Sequence, residues 1–183
     1  MKWKSACSGH YGYSQPYVFV MLKNLLAQVL FFVLVFNLIS WIRETALLPN
    51  DEAAPTFELQ DINGQYLSSN ELKGKATLLY FWAPWCSVCQ VSLPNLQDFY
   101  EEHRGDLNVV SVALSYEQVS DVHMAIVEHQ LKFPTLLGNT SLAEAYKISG
   151  FPTYYLLDEE GKVVSKSLGY STKLGMELRA LIL

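Results

Sequence analysis

Residues 78–89, LLYFWAPWCSVC, decide the fold of this chain. The first five residues form a continuous apolar run, which is typical of a strand that is buried on both faces. Cys86 and Cys89 follow directly, two residues apart. After them, apolar residues recur at helical spacing up to Phe99. The pattern predicts a dithiol in the first turn of a helix that starts where a buried strand ends.

The position of Cys86 favours nucleophilic chemistry. In the first turn of a helix the backbone N–H groups lack intrahelical partners and lie at the positive end of the helix dipole. They stabilise a thiolate, which is the form of cysteine that attacks disulfides. Cys89 lies one turn later, close enough to form an intramolecular disulfide with Cys86. We therefore expect Cys86 and Cys89 to be the catalytic residues and to form a redox-active disulfide.

A zinc site is the alternative interpretation of the two cysteines, because a Cys-x-x-Cys pair also supplies half of a structural zinc centre. Such a centre needs four ligands, and the only other cysteine is Cys7, on the far side of an apolar segment. We expect neither a metal site nor a cofactor.

Charge divides the chain into two parts. Residues 1–43 carry four basic side chains and no acidic one, so residues 44–183 hold 9 basic and 18 acidic groups. This acidic part is long enough for one sizeable core. Its charge argues against nucleic acid as a partner.

Residues 21–43 are predicted to form a transmembrane anchor. The run 25–42 contains no charged residue, and its 18 residues would span about 27 Å as a helix, close to the thickness of a hydrocarbon core. A cleaved signal peptide is the alternative, but its apolar region should be shorter and end in small residues, whereas this run ends in Trp41-Ile42. Basic residues before the run place the N-terminus in the cytoplasm. The domain would then face an oxidising space such as a bacterial periplasm.

The remaining boundaries follow from the anchor. Residues 1–20 form an N-terminal extension without periodicity, and Met21 is an alternative start of the chain. Residues 44–54 are expected to be a linker, and residues 55–183 one folded domain. Within that domain the order strand, Cys-x-x-Cys helix, strand, helix, hairpin and helix predicts an α/β sandwich.

Several short motifs point to a known family. They are Ala54-Pro55-Thr56-Phe57, residues 81–89, Phe133-Pro134, Gly150-Phe151-Pro152-Thr153 and Gly161-Lys162-Val163-Val164. From residue 54 to the end, the chain resembles membrane-anchored thioredoxin-like proteins of the TlpA/ResA group, and most closely the suppressor-of-copper-sensitivity D type. The resemblance implies a protein disulfide oxidoreductase. It also implies a thioredoxin-like three-layer α/β sandwich with a central mixed sheet, preceded by a single N-terminal transmembrane helix.

The resemblance also assigns a substrate site. It implies that Pro152 follows a cis peptide bond and faces the dithiol, and that Trp85, Phe151 and Pro152 bind the substrate chain. Taken alone, Phe151-Pro152 is more typical of the start of a strand, where proline is tolerated, but the dithiol upstream favours the substrate site. Two acidic positions of related proteins are not acidic here, because Tyr80 and Ser92 stand there instead. The proton acceptor for Cys89 is therefore unassigned.

The expected function is reduction of disulfides in periplasmic proteins, in the context of cytochrome c maturation or copper stress. A thiol protein of the membrane would donate the electrons, and the chain would be a single-pass protein of the bacterial inner membrane. Oxidation stays open as the direction, since the direction depends on the potentials of the partners. A copper-binding or copper-delivery protein on a thioredoxin scaffold is the alternative class, because Cu(I) favours thiolates.

Overall fold

The computed structural model describes residues 15–183, so Cys7 and most of the N-terminal extension expected at residues 1–20 lie outside the described residues. The described chain forms five α-helices, seven strands and one 3-10 helix. In chain order they are α1 (Gln15–Thr45), β1 (Glu58–Gln60), β2 (Tyr66–Ser68), the 3-10 helix (Ser69–Leu72), β3 (Thr77–Trp82), α2 (Ser87–Glu102), β4 (Asn108–Ala113), α3 (Val119–Glu128), β5 (Thr135–Leu137), α4 (Thr140–Ala145), β6 (Thr153–Leu157), β7 (Val163–Leu168) and α5 (Lys173–Ala180).

Helix α1 provides one candidate membrane span. The chain divides into a unit that ends at Ile39 and a second unit, Ser40–Leu183. The part of α1 from Phe19 to Thr45 has 27 residues and contains an 18-residue window with a mean hydropathy of 2.3, so it is long and apolar enough to cross a membrane. The helix begins before and ends after the predicted anchor at residues 21–43.

A five-stranded mixed sheet forms the centre of the second unit, in the order β5-β4-β3-β6-β7. Strand β3 runs parallel to β4 and antiparallel to β6. All six residues of β3 are buried, as its continuous apolar run predicts. β1 and β2 form a separate antiparallel pair.

Two apolar clusters cover the two faces of this sheet. Leu78, Tyr80 and Trp82 belong to one cluster and Leu79 and Phe81 to the other, because successive side chains of a strand point to opposite faces. The first cluster includes residues of α2, α3 and α5, and the second includes Leu142 of α4. The helices thus form layers on both faces, and the predicted thioredoxin-like three-layer sandwich is confirmed.

The segment predicted to be a linker, residues 44–54, packs against the folded domain at several points. Leu47 and Leu48 are only 1% and 4% exposed, and Ala53 pairs with Lys162 in an isolated bridge. The Glu44 carboxylate also lies 3.4 Å from the guanidinium of Arg179. Burial of the two leucines holds this segment on the second apolar cluster.

Apolar residues recur at helical spacing in the sequence of α5, but its leucines face away from the core. Met176 is completely buried, whereas Leu174, Leu178 and Leu181 are exposed. The N-terminus of α5 is capped by the Thr172 side chain, which accepts a hydrogen bond from the Gly175 N–H.

Four tyrosine hydroxyls are removed from solvent on the two faces of the sheet. Burial raises the pKa of Tyr155 to about 12, although a hydrogen bond from the Leu48 backbone acts in the opposite direction. Burial also raises the pKa of Tyr80, Tyr146 and Tyr154 above the ordinary tyrosine value. The cause is desolvation, which disfavours the charged phenolate.

Alkaline pH should therefore destabilise the domain. Above the ordinary tyrosine pKa of about 10 these residues ionise in the unfolded chain but remain protonated in the folded one. The folded state then binds more protons, so the free energy of unfolding falls as the pH rises from about 10 to about 12. Tyrosinate absorbance and circular dichroism should show a late class of tyrosines that ionises in the same step that unfolds the domain. Ionisation of every tyrosine before any loss of circular dichroism would contradict this expectation.

Candidate active site

The two cysteines lie where β3 leads into α2. Strand β3 ends at Trp82, the Cys86 N–H donates to the carbonyl of Ala83 at 3.1 Å, and α2 begins at Ser87. Cys86 is the N-cap of the helix, and its Sγ accepts a hydrogen bond from the Cys89 N–H at 3.1 Å. The sulfur thus lies among the free N–H groups of the first turn, where negative charge is stabilised.

Cys86 and Cys89 form a disulfide, with their Cα atoms 5.2 Å apart. Cys86 is 7% exposed and Cys89 is completely buried. A molecule that approaches this disulfide from solvent therefore reaches the Cys86 sulfur first.

Trp85 and Phe151 form an aromatic rim near the disulfide. The Trp85 side chain is 66% exposed, and its ring meets that of Phe151 edge to face at 5.8 Å between centroids. The Trp85 indole N–H donates to the carbonyl of Ser115 at 2.7 Å. That bond holds the exposed ring in one orientation and leaves its apolar surface free for contact.

The peptide bond between Phe151 and Pro152 is cis, as the family resemblance implies. Pro152 is buried, and its carbonyl accepts a hydrogen bond from the Gly169 N–H at 2.8 Å. Strand β6 begins only at Thr153, so Phe151 lies outside the ladder. The structure thus brings together Trp85 and Phe151, two of the three residues assigned to substrate binding, and Pro152 directly follows Phe151 in the chain.

Hydroxyl groups occupy the two positions where related proteins carry acids. Tyr80 and Ser92 are both completely buried. The Tyr80 hydroxyl lies beside the Ser92 side chain but has no partner with hydrogen-bonding geometry among the described residues. The Ser92 hydroxyl donates instead to the carbonyl of Ser171 at 3.3 Å. The buried side of the dithiol helix therefore offers hydroxyls at these two positions, not carboxylates.

His129 is a further residue near the dithiol helix, and the sequence did not reveal it. It is half-buried at the C-terminal end of α3, and its Nε2 is hydrogen-bonded to the side-chain oxygen of Gln90. The Gln90 amide donates to the carbonyl of Pro84 at 2.6 Å. Gln90 directly follows Cys89 in the sequence. Its polar amide beside the dithiol was the one sequence feature that could have pointed to a hydrogen bond with His129.

Comparison with known proteins agrees with this geometry. The match to the AhpC/TSA family covers residues 51–166. The chain belongs to the AhpC/TSA family. It is 32% identical over 164 residues to the thioredoxin-like protein YneN of Bacillus subtilis, covering 86% of this chain and 96% of YneN. It is also 32% identical over 126 residues to the thiol-disulfide oxidoreductase ResA of Bacillus cereus, covering 68% of this chain and 72% of ResA.

A solved structure agrees with these sequence matches. The crystal structure of StoA from Bacillus subtilis matches with a TM-score of 0.62 and 30% identity, covering 70% of this chain and 98% of StoA. The resemblance to the TlpA/ResA group is thus confirmed. The chain is a thioredoxin-like thiol–disulfide oxidoreductase.

The unpartnered hydroxyl of Tyr80 can be tested by removing it. A buried hydroxyl without a partner costs about 1–3 kcal/mol, so Tyr80→Phe should leave the free energy of unfolding unchanged or raise it. Tyr155→Phe is the matched control, because the Tyr155 hydroxyl has a hydrogen-bond partner: it donates to the carbonyl of Tyr146 at 2.7 Å. We expect Tyr155→Phe to lower the free energy of unfolding by about 1–2 kcal/mol. Equal losses in the two variants, measured by denaturant unfolding, would show that Tyr80 is hydrogen-bonded.

Proposed function

We propose that this chain reduces disulfide bonds of exported proteins through the dithiol form of Cys86 and Cys89. The observation that carries the proposal is the position of the Cys86 sulfur. It caps α2, and Cys86 is the only residue of the pair with any exposed area, at 7%. A capping cysteine at the surface, next to a completely buried one, fits a nucleophile paired with a resolving thiol.

The reaction proceeds by two exchanges. The Cys86 thiolate attacks one sulfur of the substrate disulfide, a Cys86–substrate disulfide forms, and the second substrate sulfur leaves as a thiolate. The Cys89 thiolate then attacks the Cys86 sulfur and releases the first substrate sulfur. The substrate gains two electrons and two protons, and the chain is left with the Cys86–Cys89 disulfide seen in the structure.

The substrate chain would bind against the aromatic rim and run along the segment that precedes β6. Trp85 is exposed and Phe151 is half-buried, and their contacting rings offer apolar surface beside Cys86. Phe151 lies outside the ladder that starts at Thr153, so its backbone is placed to pair with an extended substrate segment. Pro152 has no N–H and leaves that approach free of a competing donor.

Regeneration of the dithiol requires a second reductant, because Cys86 and Cys89 give up two electrons to the substrate in each cycle. A membrane protein with a dithiol of its own would supply them, and α1 would hold this chain in the same membrane. The basic residues that precede the apolar run favour a domain outside the cytoplasm. These features fit a single-pass protein of the bacterial inner membrane with its domain in the periplasm. The residues between the cysteines, Ser87 and Val88, include no histidine to stabilise the thiolate strongly, which favours the reducing direction.

No observation favours the copper alternative. Within residues 15–183, no three side chains of His, Cys, Asp or Glu come together as a metal site.

Trapping of partners tests the proposal. In Cys89→Ser the first exchange still occurs but the resolving thiol is missing, so mixed disulfides with partner proteins should accumulate. Cys86→Ser is the control, and it should trap no partner because Cys89 is completely buried. Non-reducing gels of cells that express each full-length variant, followed by mass spectrometry, measure the difference.

The identity of the trapped partners tests the location. They should be exported proteins with disulfides, together with one membrane dithiol protein. Equal trapping by both variants would refute the assigned roles. Trapping of cytoplasmic proteins alone would refute the proposed orientation.

A further inference from the structure

A groove of about 430 Å³ runs between the start of α2 and the face of α3. Trp85, the residue before Cys86, forms one wall, and Tyr116 and Met124 contribute further apolar surface. Trp85 and Met124 are 66% and 61% exposed. Exposed apolar side chains gathered beside a reactive sulfur are typical of a surface that another molecule covers.

The charged groups of this groove are all acidic. Glu117, Asp121 and Glu128 line it, whereas none of its lining residues is a lysine or an arginine. The Asp121 carboxylate accepts a hydrogen bond from the Gln118 N–H at 3.1 Å and thereby caps α3. Glu117 and Glu128 are exposed, and none of the ion pairs found in residues 15–183 involves them. Two carboxylates are therefore available to a cation from another molecule.

Hydrogen bonds hold the wall of the groove nearest the dithiol. The Trp85 indole is tied to the carbonyl of Ser115. Gln90 connects the carbonyl of Pro84 to the ring of His129 on the α3 side. This wall is thus preformed, and little side-chain entropy would be lost when a partner binds to it.

We propose that this groove binds the segment of a substrate protein that flanks the attacked disulfide, and that it selects segments in which a lysine or arginine accompanies an apolar side chain. The inference rests on the proposed function, since it names the substrate class of the same site. The apolar side chain would contact Trp85 and Met124, while the cation would lie near Glu117 and Glu128. An arginine could also stack on the exposed indole of Trp85. The net acidic charge of residues 44–183 attracts such segments before they dock.

Exchange rates with matched peptides test this selection. Three disulfide-containing peptides would share one sequence and differ only in an arginine, a glutamine or a glutamate close to the cystine. The reduced full-length chain in detergent micelles should react with the arginine peptide about threefold to tenfold faster than with the glutamine peptide, and most slowly with the glutamate peptide. Since rim charges act mainly on the association rate, the preference should shrink as salt is added.

Charge reversal in the groove provides the decisive variant. Glu117→Lys combined with Glu128→Lys should invert the order of the arginine and glutamate peptides while the glutamine peptide changes little. Glu58→Lys is the matched control, because Glu58 is an exposed acid on β1, outside the groove, and its substitution should keep the wild-type order. Asp121 is left intact because it caps α3.

The outcomes separate the two proposals. Exchange with all three peptides at equal rates, or an unchanged order in the reversed variant, would overturn the groove assignment and leave the proposed function standing. Absence of exchange with every peptide would overturn the proposed function and the groove assignment together.

Discussion

The hydrogen bond from the Cys89 N–H to the Cys86 sulfur, at 3.1 Å, is the contact on which the active site depends. It starts α2, places the sulfur at the positive end of that helix, and leaves Cys89 one turn deeper in the core. The buried strand β3 brings the motif to its edge of the sheet, because residues 78–82 of β3 all belong to one of the two apolar clusters. The residues that position the dithiol thus also form part of the folded core.

Beneath the dithiol the structure departs from the acidic pattern of related proteins. Tyr80 and Ser92 are completely buried, and desolvation raises the pKa of Tyr80 so that its hydroxyl stays neutral. A neutral hydroxyl can donate a hydrogen bond to a nearby thiolate but is a poor proton acceptor at neutral pH. Neither position therefore supplies a carboxylate that could take the proton of the Cys89 thiol.

Much of this architecture could be predicted from local sequence. The apolar run before Cys86 predicted β3, and the exposed rim at Trp85 followed from its place beside the nucleophile. The rest depends on partners distant in sequence. Burial of Leu47 and Leu48 needs the cluster that contains Tyr155, helical spacing cannot show that the α5 leucines face outward, and the link from Gln90 to His129 spans 39 residues.

Selective alkylation of the reduced chain tests the central claim most directly, since it compares the two sulfurs without any substrate. The full-length protein would be reduced, treated at neutral pH with a limiting amount of iodoacetamide, and mapped by mass spectrometry. Because Cys86 caps α2 and holds the only exposed surface of the pair, label should appear on Cys86 while Cys89 stays unmodified. Equal labelling of both cysteines, or earlier labelling of Cys89, would contradict the assignment of Cys86 as the nucleophile.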